Sequence, residues 1–272
     1  MTIWEQNEEK TRLLIRQAGE SMLSCHDLVV TGKGRHADFV TQEDKLVQEM
    51  LMDGLHRLYP EARFMAEEKE NAALTDEPTF IIDPIDGTTN YFRRREASVI
   101  SVGLAEGKKP VRGWIYNPYR GELFTAARGQ GAFCNGKPVH VSAVPRDNAL
   151  VYMGTAAYYE ELMSLTGLCA QRLLPEIADF RRTGSCALEM CDIARGWAEA
   201  LFEWRLQPWD ICAGVLLVNE AGGRCCDILG EEPDLARPAP LLAANAVCFE
   251  PLLERLRNIR REWAELREKG QL

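Results

Sequence analysis

The chain has 272 residues, of which 46% are hydrophobic and 27% are charged, a composition typical of an ordinary soluble globular protein rather than a disordered or fibrous one. The formal net charge is -9, from 32 basic and 41 acidic residues, which argues against a surface devoted to nucleic acid. The length is sufficient for one large domain or for two packed halves.

The amino terminus and the cysteines indicate the compartment. Residues 1–6 lack the basic head and apolar core of a signal peptide, and no apolar run in the sequence is long enough to span a bilayer. The nine cysteines are scattered, with no Cys-x-x-Cys pair and no histidine spacing typical of a zinc site. We therefore expect a cytoplasmic protein with reduced, buried thiols and no membrane contact.

Two helices are predicted before the first acidic motifs. Apolar residues at near-helical spacing over residues 4–24 predict an amphipathic helix. In the segment over residues 29–44, the glycines and the lysine predict a mobile loop. The spacing of Thr41 and Asp44 resembles a capping box that opens a helix ending near Leu58. Capping of this helix is by itself sufficient to explain an aspartate at position 44.

Two predicted strands then end at carboxylates. A strand over residues 63–66 runs into the pair Glu67 and Glu68, a pattern that on its own is typical of a solvated surface. The β-branched and aromatic residues 79–82 predict a buried strand. This strand ends at Asp83, because the proline that follows favours an extended residue before it.

The turn after Asp83 combines features of a phosphate site and of a metal site. Asp86 precedes Gly87, Thr88 and Thr89, a hydroxyl-rich turn that opens a helix with free backbone N–H groups. Such N–H groups suit a phosphate, but the neighbouring carboxylates would repel it unless cations lie between them. Oxygen ligands at this density suit Mg²⁺, so the sequence predicts phosphate, magnesium and water together.

The rest of the chain predicts a sheet followed by alternating strands and helices. Antiparallel strands are predicted over residues 97–105, 111–117 and 121–127, with tight turns over 129–136. A polar stretch near residue 146 divides the chain into an N-terminal half, 1–146, and a C-terminal half, 147–272. In the second half, strands are predicted over 151–155 and 198–202 and helices over 158–170, 187–195, 209–221 and 249–269. This alternation favours an α/β layer.

Five blocks of the sequence resemble the inositol monophosphatase family of Mg²⁺-dependent, lithium-sensitive phosphomonoesterases. They are Ala37-Asp38-Phe39-Val40-Thr41-x-x-Asp44, Ala66-Glu67-Glu68, Asp83-Pro84-Ile85-Asp86-Gly87-Thr88, Trp209-Asp210-Ile211-Cys212-Ala213-Gly214 and Glu220-Ala221-Gly222-Gly223. The resemblance covers nearly the whole chain. It implies a layered αβαβα sandwich of the inositol monophosphatase and fructose-1,6-bisphosphatase type, with the site between two halves, and a homodimer.

The resemblance also assigns roles to individual residues. It implies two or three Mg²⁺ ions, with Li⁺ as an inhibitor, and no covalent phosphoenzyme. The metal ligands would be Glu67, Asp83, the carbonyl of Ile85, Asp86 and Asp210. Glu67 and Thr88 would orient the attacking water, with Thr88 tied to Asp44. The substrate would contact Asp86, Gly87, Thr88, Gly184, Ser185, Cys186 and Glu203, and the loop around Lys33 would cover a metal.

Several of these residues have a plainer interpretation. Asp210 stands where a helix N-cap is ordinarily found, and Cys186, where the family usually has alanine, is typical of a buried structural cysteine. Ala66 replaces the family's usual glycine and removes some backbone freedom before Glu67. The basic run Arg93-Arg94-Arg95 departs from the family, which usually has histidine at its first position. This run favours either a solvated or subunit-interface cluster or a site for a second phosphate, and Arg181-Arg182 forms another basic pair.

The predicted function is hydrolysis of a small sugar or polyol phosphate, such as inositol 1-phosphate, by metal-activated water. Fructose-1,6-bisphosphatase, 3′(2′),5′-bisphosphate nucleotidase and histidinol-phosphatase activities stay open, because the fold class does not fix the substrate. An aspartyl-nucleophile phosphatase would need Asp-x-Asp, whereas the two aspartates here are separated by two residues. A regulatory protein that binds nucleic acid or transcription machinery is the alternative from another class, and the retention of every expected metal ligand argues against it.

Overall fold

A computed structural model describes residues 2–25, 28–34 and 38–271. Ala37, the first residue of the Ala-Asp-Phe-Val-Thr block, lies outside the described residues. The helices are α1 Ile3–Gln6, α2 Glu8–Ser24, α3 Gln42–Leu58, α4 Thr88–Phe92, α5 Glu160–Leu173, α6 Cys186–Ala194, α7 Pro208–Glu220 and α8 Phe249–Glu268. Among the described residues, no helix combines the length and the apolarity needed to cross a bilayer.

The strands form two large sheets and a ribbon. They are β1 Val30–Gly32, β2 Phe39–Thr41, β3 Arg63–Ala66, β4 Thr79–Asp86, β5 Val99–Glu106, β6 Lys109–Asn117, β7 Glu122–Ala127, β8 Ala132–Cys134, β9 Lys137–Pro138, β10 Leu150–Met153, β11 Asp179–Arg181, β12 Ala200–Leu206, β13 Arg224–Cys226 and β14 Ala239–Ala244. The first sheet has the order β3-β4-β5-β6-β7-β8-β9, and the second has the order β11-β10-β12-β14-β13. The strands β1 and β2 pair with each other as an antiparallel ribbon.

The two sheets and three pairs of helices stack in five layers. Successive residues of β4 point to opposite faces, so Phe80 and Ile82 pack with α2 and α3, whereas Ile81 packs with α6 and α7. The other face of the α6 and α7 layer packs on the second sheet, whose outer face is covered by α5 and α8. This αβαβα sandwich confirms the fold predicted from the resemblance.

Helix α7 lies in the middle layer and is therefore apolar on nearly every side. It comes so close to the first sheet that a β-carbon on Gly113 would lie 2.9 Å from the Ala213 carbonyl oxygen. A β-carbon on Gly103 would lie 2.4 Å from Cys212 Sγ. The absence of side chains on these two glycines thus allows the helix to approach the sheet.

The structure corrects several boundaries predicted from the sequence. The first helix is interrupted at Asn7, whose side-chain amide donates to the Leu58 carbonyl at 2.9 Å. The segment over residues 29–44, part of which was predicted as a loop, contains the ribbon of β1 and β2. Three short strands of the second half were not predicted: β11, β13 and β14. The separation of the chain at residue 146 stays a prediction.

Candidate functional site

A cleft of about 450 Å³ opens where the end of β4 meets the first turns of α4, α6 and α7. Its walls include most of the predicted site residues from both halves of the sequence. These are Lys33, Glu67, Asp83, Ile85, Asp86, Gly87, Thr88, Gly184, Ser185, Cys186, Glu203 and Asp210. Asp44 lies behind this wall, fully buried.

A bulge in β4 places both of its aspartates on the cleft. Asp83 pairs with Ser101 and Asp86 pairs with Val99, so three steps along β4 oppose two steps along β5. In a regular strand, two residues that are three positions apart point to opposite faces of the sheet. The extra residue of the bulge in β4 turns the side chains of Asp83 and Asp86 to the same face. Both carboxylates consequently line the cleft.

Asp86 connects the two halves of the chain. Its Oδ2 accepts hydrogen bonds from the hydroxyl of Ser185 at 2.8 Å and from the Ala187 backbone N–H at 2.6 Å, both at the start of α6. Burial raises the pKa of Asp86 to about 6, although these two hydrogen bonds favour the ionised form. Ser185 itself caps α6 through the Leu188 N–H.

Asp44 and Thr88 are brought together although they are 44 residues apart. The hydroxyl of Thr88 lies within hydrogen-bond distance of Asp44 Oδ1, at 3.1 Å, and of the Ile85 carbonyl, at 3.2 Å. Asp44 also forms the capping box of α3 with Thr41. The capping interpretation and the contact with Thr88 therefore hold at the same time.

Glu67 and Glu68 are held by Lys33 from the segment after β1. Lys33 Nζ lies 2.7 Å from Glu67 Oε1 and also pairs with Glu68. Burial opposes the ammonium charge of Lys33, but the two carboxylates raise its pKa above the usual range. Burial and repulsion from Glu67 raise the pKa of Glu68 to about 7. The glutamate pair is thus partly buried rather than solvated.

Asp210 enters the cleft from the first turn of α7. Its Oδ2 accepts the Gln207 backbone N–H at 2.7 Å within the capping box of α7. The N-cap residue is Gln207, so the plainer interpretation of Asp210 as the N-cap was wrong by three positions. Burial, followed by repulsion from Asp86 and Glu67, raises its pKa well above the usual range. Asp210 therefore belongs to the same electrostatic cluster as the acids of the first half.

Glu203 and the turn before α6 form another part of the cleft wall. Glu203 Oε1 accepts the Ala156 N–H at 3.1 Å, and burial raises its pKa to about 7. Gly184 has φ +89°, a conformation that favours glycine. Cys186 is buried, and burial with repulsion from Asp86 raises its thiol pKa. Its thiol is therefore inert, as the structural interpretation expected.

The donor set fits magnesium. Burial and repulsion from Glu67, Asp86 and Asp210 raise the pKa of Asp83 well above its usual range, which shows how poorly these carboxylates tolerate one another without a cation. Carboxylate and carbonyl oxygens are the ligands that Mg²⁺ prefers. In the conformation of the described residues, however, no three His, Cys, Asp or Glu side chains form a group that could hold a metal ion. The ammonium group of Lys33 forms an ion pair with Glu67, so a metal ion that binds the Glu67 carboxylate competes with this ammonium group.

The arginines of the cleft are not those first considered. Arg93, Arg94 and Arg95 are exposed and do not line the cleft, so the structure gives no support to the second-phosphate interpretation of this run. Arg182 and Arg205 do line it. Of these two, Arg182 belongs to a basic pair noted in the sequence, whereas Arg205 was missed because an isolated arginine in a strand carries no signal.

Glu189 was also missed by sequence reasoning. Its Oε1 accepts hydrogen bonds from the Thr183 backbone N–H at 2.5 Å, the Thr183 hydroxyl at 2.8 Å and the Gly184 N–H at 3.2 Å. It thereby fixes the turn that carries Gly184 and Ser185. A buried glutamate within an apolar helix is the pattern that would have indicated it.

The sequence and the fold are both similar to those of known proteins. A model of the inositol monophosphatase family matches residues 7–261. Inositol monophosphatase 1 of Homo sapiens is 32% identical over 265 residues, which cover 94% of this chain and 96% of that protein.

Two solved structures share the fold over nearly their whole length. One is an IMPase/NADP phosphatase complexed with Mg²⁺ and phosphate, with TM-score 0.84 and 26% identity over 93% of this chain and 95% of that one. The other is a staphylococcal inositol monophosphatase-1 soaked in LiCl as an inhibitory complex, with TM-score 0.82 and 26% identity over 95% of each chain. The likeness therefore extends across both halves of the molecule.

Proposed function

The chain belongs to the inositol monophosphatase family, and from this premise we propose that it is a Mg²⁺-dependent phosphomonoesterase of small phosphorylated polyols or sugars, such as inositol 1-phosphate. Membership of the family makes the chain a phosphatase of this superfamily. The observation that carries the proposal is the meeting of Glu67, Asp83, Asp86 and Asp210 in one cleft. A relative with this fold binds Mg²⁺ and phosphate.

The proposed metal ligands are Glu67, Asp83, the Ile85 carbonyl, Asp86 and Asp210. When bound, two or three Mg²⁺ ions would supply an activated water and stabilise the leaving alkoxide oxygen. Thr88 shares its hydroxyl proton with Asp44 or the Ile85 carbonyl, so its oxygen accepts a hydrogen bond from the attacking water and orients it. Glu67, the residue that follows β3, would orient the same water.

Other residues position the ester. The first turn of α4 has N–H groups without intrahelical partners, and those of Gly87 and Thr88 are proposed to hold the phosphate oxygens. Glu203, Asp86 and the turn Gly184–Cys186 are proposed to contact the hydroxyls of the leaving polyol. Because water is the nucleophile, no covalent phosphoenzyme forms.

The test is phosphate release from inositol 1-phosphate, fructose 1,6-bisphosphate, adenosine 3′,5′-bisphosphate and histidinol phosphate. Each ester is assayed with Mg²⁺, with a chelator, and with Mg²⁺ plus Li⁺. We expect turnover of at least one ester that requires Mg²⁺ and is inhibited by Li⁺. Turnover that survives chelation, or trapping of a phosphoaspartate, would overturn the mechanism. No turnover of any ester would favour the regulatory binding role instead.

We also propose a cytoplasmic homodimer. All nine cysteines lie in the described residues and none of them forms a disulfide there, which suits a reducing compartment. The dimer rests on the family resemblance. Sedimentation velocity at micromolar protein tests it, and a single monomeric species would overturn it.

A further inference from the structure

Two arginines line the part of the cleft that contains Glu203 and Glu189. Arg182 lies close enough to both glutamates for its charge to lower their pKa values. Its Nη1 atom is 3.4 Å from the position that a β-carbon on Gly184 would take, so the guanidinium group lies over the turn before α6. Arg182 is therefore beside the groups that are proposed to contact the leaving group.

Arg205 reaches the same cleft from β12. Its guanidinium carbon lies 4.3 Å from the centroid of the Tyr159 ring, which also lines the cleft. A guanidinium group that stacks on an aromatic ring keeps its N–H groups directed outward in the plane of the fork. Tyr159 thus holds Arg205 in place without using its hydrogen-bond donors.

These two arginines form few ion pairs, although Arg182 lies near Glu203 and Glu189. Within the part of the chain that the structure describes, Arg182 forms no ion pair at all. Arg205 has one carboxylate partner there, Glu161, at 4.0 Å and on the exposed surface. By contrast, Lys33, the third cation among the described residues that line the cleft, is engaged by two glutamates.

A neutral polyol would not use this pair of charges. Its hydroxyls are satisfied by glutamate, serine and backbone groups, whereas a guanidinium fork matches the two oxygens of a phosphate or a carboxylate. The scissile phosphate is proposed to bind elsewhere, at the N–H groups of Gly87 and Thr88. The two guanidinium groups, which line the cleft, are therefore available to an additional anion.

Building on the proposed phosphatase function, we propose that Arg182 and Arg205 select phosphomonoesters whose leaving group carries a second anionic group, either a phosphate or a carboxylate. The two arginines determine specificity and do not act on the ester bond that is broken. Loss of either arginine should lower the preference for the doubly anionic ester by roughly 10-fold to 100-fold, the range expected for charge-assisted hydrogen bonds.

The experiment compares pairs of esters that differ only in the second anion. Fructose 1,6-bisphosphate is paired with fructose 1-phosphate, adenosine 3′,5′-bisphosphate with adenosine 3′-monophosphate, and 2-phosphoglycerate with glycerol 2-phosphate. The ratio of kcat/KM within each pair is measured for the wild type and for Arg182→Ala and Arg205→Ala. The three pairs separate a phosphate on a sugar, a phosphate on a nucleoside and a carboxylate.

Two matched controls come from arginines outside the cleft. Arg181 is the neighbour of Arg182 but is exposed and paired with Asp179, and Arg93 lies in the exposed run after α4. Arg181→Ala and Arg93→Ala should leave every ratio unchanged. The variants Arg182→Lys and Arg205→Lys keep the positive charge but lose the forked guanidinium group. Their kcat/KM ratios should lie between those of the wild type and those of the alanine variants. Thermal unfolding followed by circular dichroism verifies that each variant is folded.

The outcomes separate the two proposals. A fall in the ratio for at least one pair, in the cleft variants and not in the controls, supports the selection of a second anion and names its chemistry. Equal losses for both members of every pair, or a wild type that hydrolyses only the singly charged members, overturns this inference and leaves the phosphatase function standing. A wild type that hydrolyses none of the six esters overturns this inference, and it overturns the phosphatase function as well only if inositol 1-phosphate and histidinol phosphate are not hydrolysed either.

Discussion

Single carboxylates in the cleft and directly behind its wall carry out two tasks at once. Asp44 and Asp210 accept the N-cap backbone N–H groups in the capping boxes of α3 and α7, yet one contacts Thr88 and the other lines the cleft. Asp86 accepts two hydrogen bonds from the start of α6 and faces the cleft as well. A helix cap fixes the rotamer of a carboxylate, so the structural task prepares the chemical one.

Asp86→Asn separates these two tasks. The asparagine carbonyl still accepts hydrogen bonds from Ser185 and Ala187, but the negative charge needed for a cation is lost. We expect kcat/KM to fall on the order of 100-fold or more, with little change in the melting temperature. Asp227→Asn is the matched control, because one oxygen of Asp227 likewise accepts two hydrogen bonds, from the backbone N–H groups of Leu229 and Glu231, but Asp227 does not line the cleft. Unchanged activity in Asp86→Asn would contradict the ligand assignment.

The ionisation of Glu203 should make stability depend on pH. Burial raises its pKa from 4.5 to about 7, so the folded chain binds this proton more tightly than the unfolded chain does. Stability from this group is therefore complete below about pH 4.5 and is lost as the pH rises through about 7, by at most roughly 3 kcal/mol.

Glu203→Gln removes this ionisation and keeps an acceptor for the Ala156 N–H. The difference in melting temperature between the variant and the wild type should grow in favour of glutamine between pH 4.5 and pH 8. Differential scanning calorimetry at several pH values in a chelator measures it. A difference that does not vary with pH would show that Glu203 has an ordinary pKa.

At the scale of elements, the position of α7 decides where Asp210 stands. The helix approaches β5 and β6 at Gly103 and Gly113, where a side chain on the sheet would collide with the helix. Asp210 lies in the first turn of the same helix. A shift of α7 away from the sheet would consequently move Asp210 relative to Asp83 and Asp86 on β4.

Gly113→Ala tests this coupling between packing and site geometry. Its β-carbon would lie 2.9 Å from the Ala213 carbonyl oxygen, a backbone atom that can yield only if the helix moves. We expect a loss of about 1–3 kcal/mol in the free energy of unfolding and a clear drop in phosphatase activity.

Gly167→Ala in α5 is the matched control for Gly113→Ala, because nothing lies within 4 Å of the added carbon. It should stabilise the helix by roughly 0.5–1 kcal/mol and leave activity unchanged. Urea unfolding and steady-state kinetics measure both variants. If Gly113→Ala is as harmless as the control, the close approach does not position α7.

Elements with strong local patterns were predictable, and elements defined by their partners were not. The apolar period and capping box of α3 indicated its start and approximate end, and the run over residues 79–82 indicated β4. β14 has the sequence Ala-Pro-Leu-Leu-Ala-Ala, whose residues have little strand preference, and it is a strand because β12 and β13 pair with it. Likewise the bulge in β4 and the place of Arg205 depend on contacts between distant segments, which no local pattern records.

At the scale of the whole molecule, the two halves of the sequence share one core. Ile81, Ile115 and Phe124 of the first sheet pack in the same apolar cluster as α6 and α7, which come from the second half. The first sheet therefore needs a layer that the N-terminal half does not contain. The site is divided in the same way, because Asp210, Glu203 and the turn of Ser185 come from residues beyond 146.

This shared core predicts that neither half folds alone, although the boundary near residue 146 was recognisable in the sequence. The fragment 1–146 would expose the face that α6 and α7 cover, and the fragment 147–272 would expose the other side of those helices. We expect each purified fragment to lack a cooperative thermal transition by circular dichroism, whereas co-expression of both should restore the transition and part of the phosphatase activity. The intact chain is the reference for both signals. A cooperative transition in either isolated fragment would mean that the halves are independent domains, and the cleft would then be an interface between them.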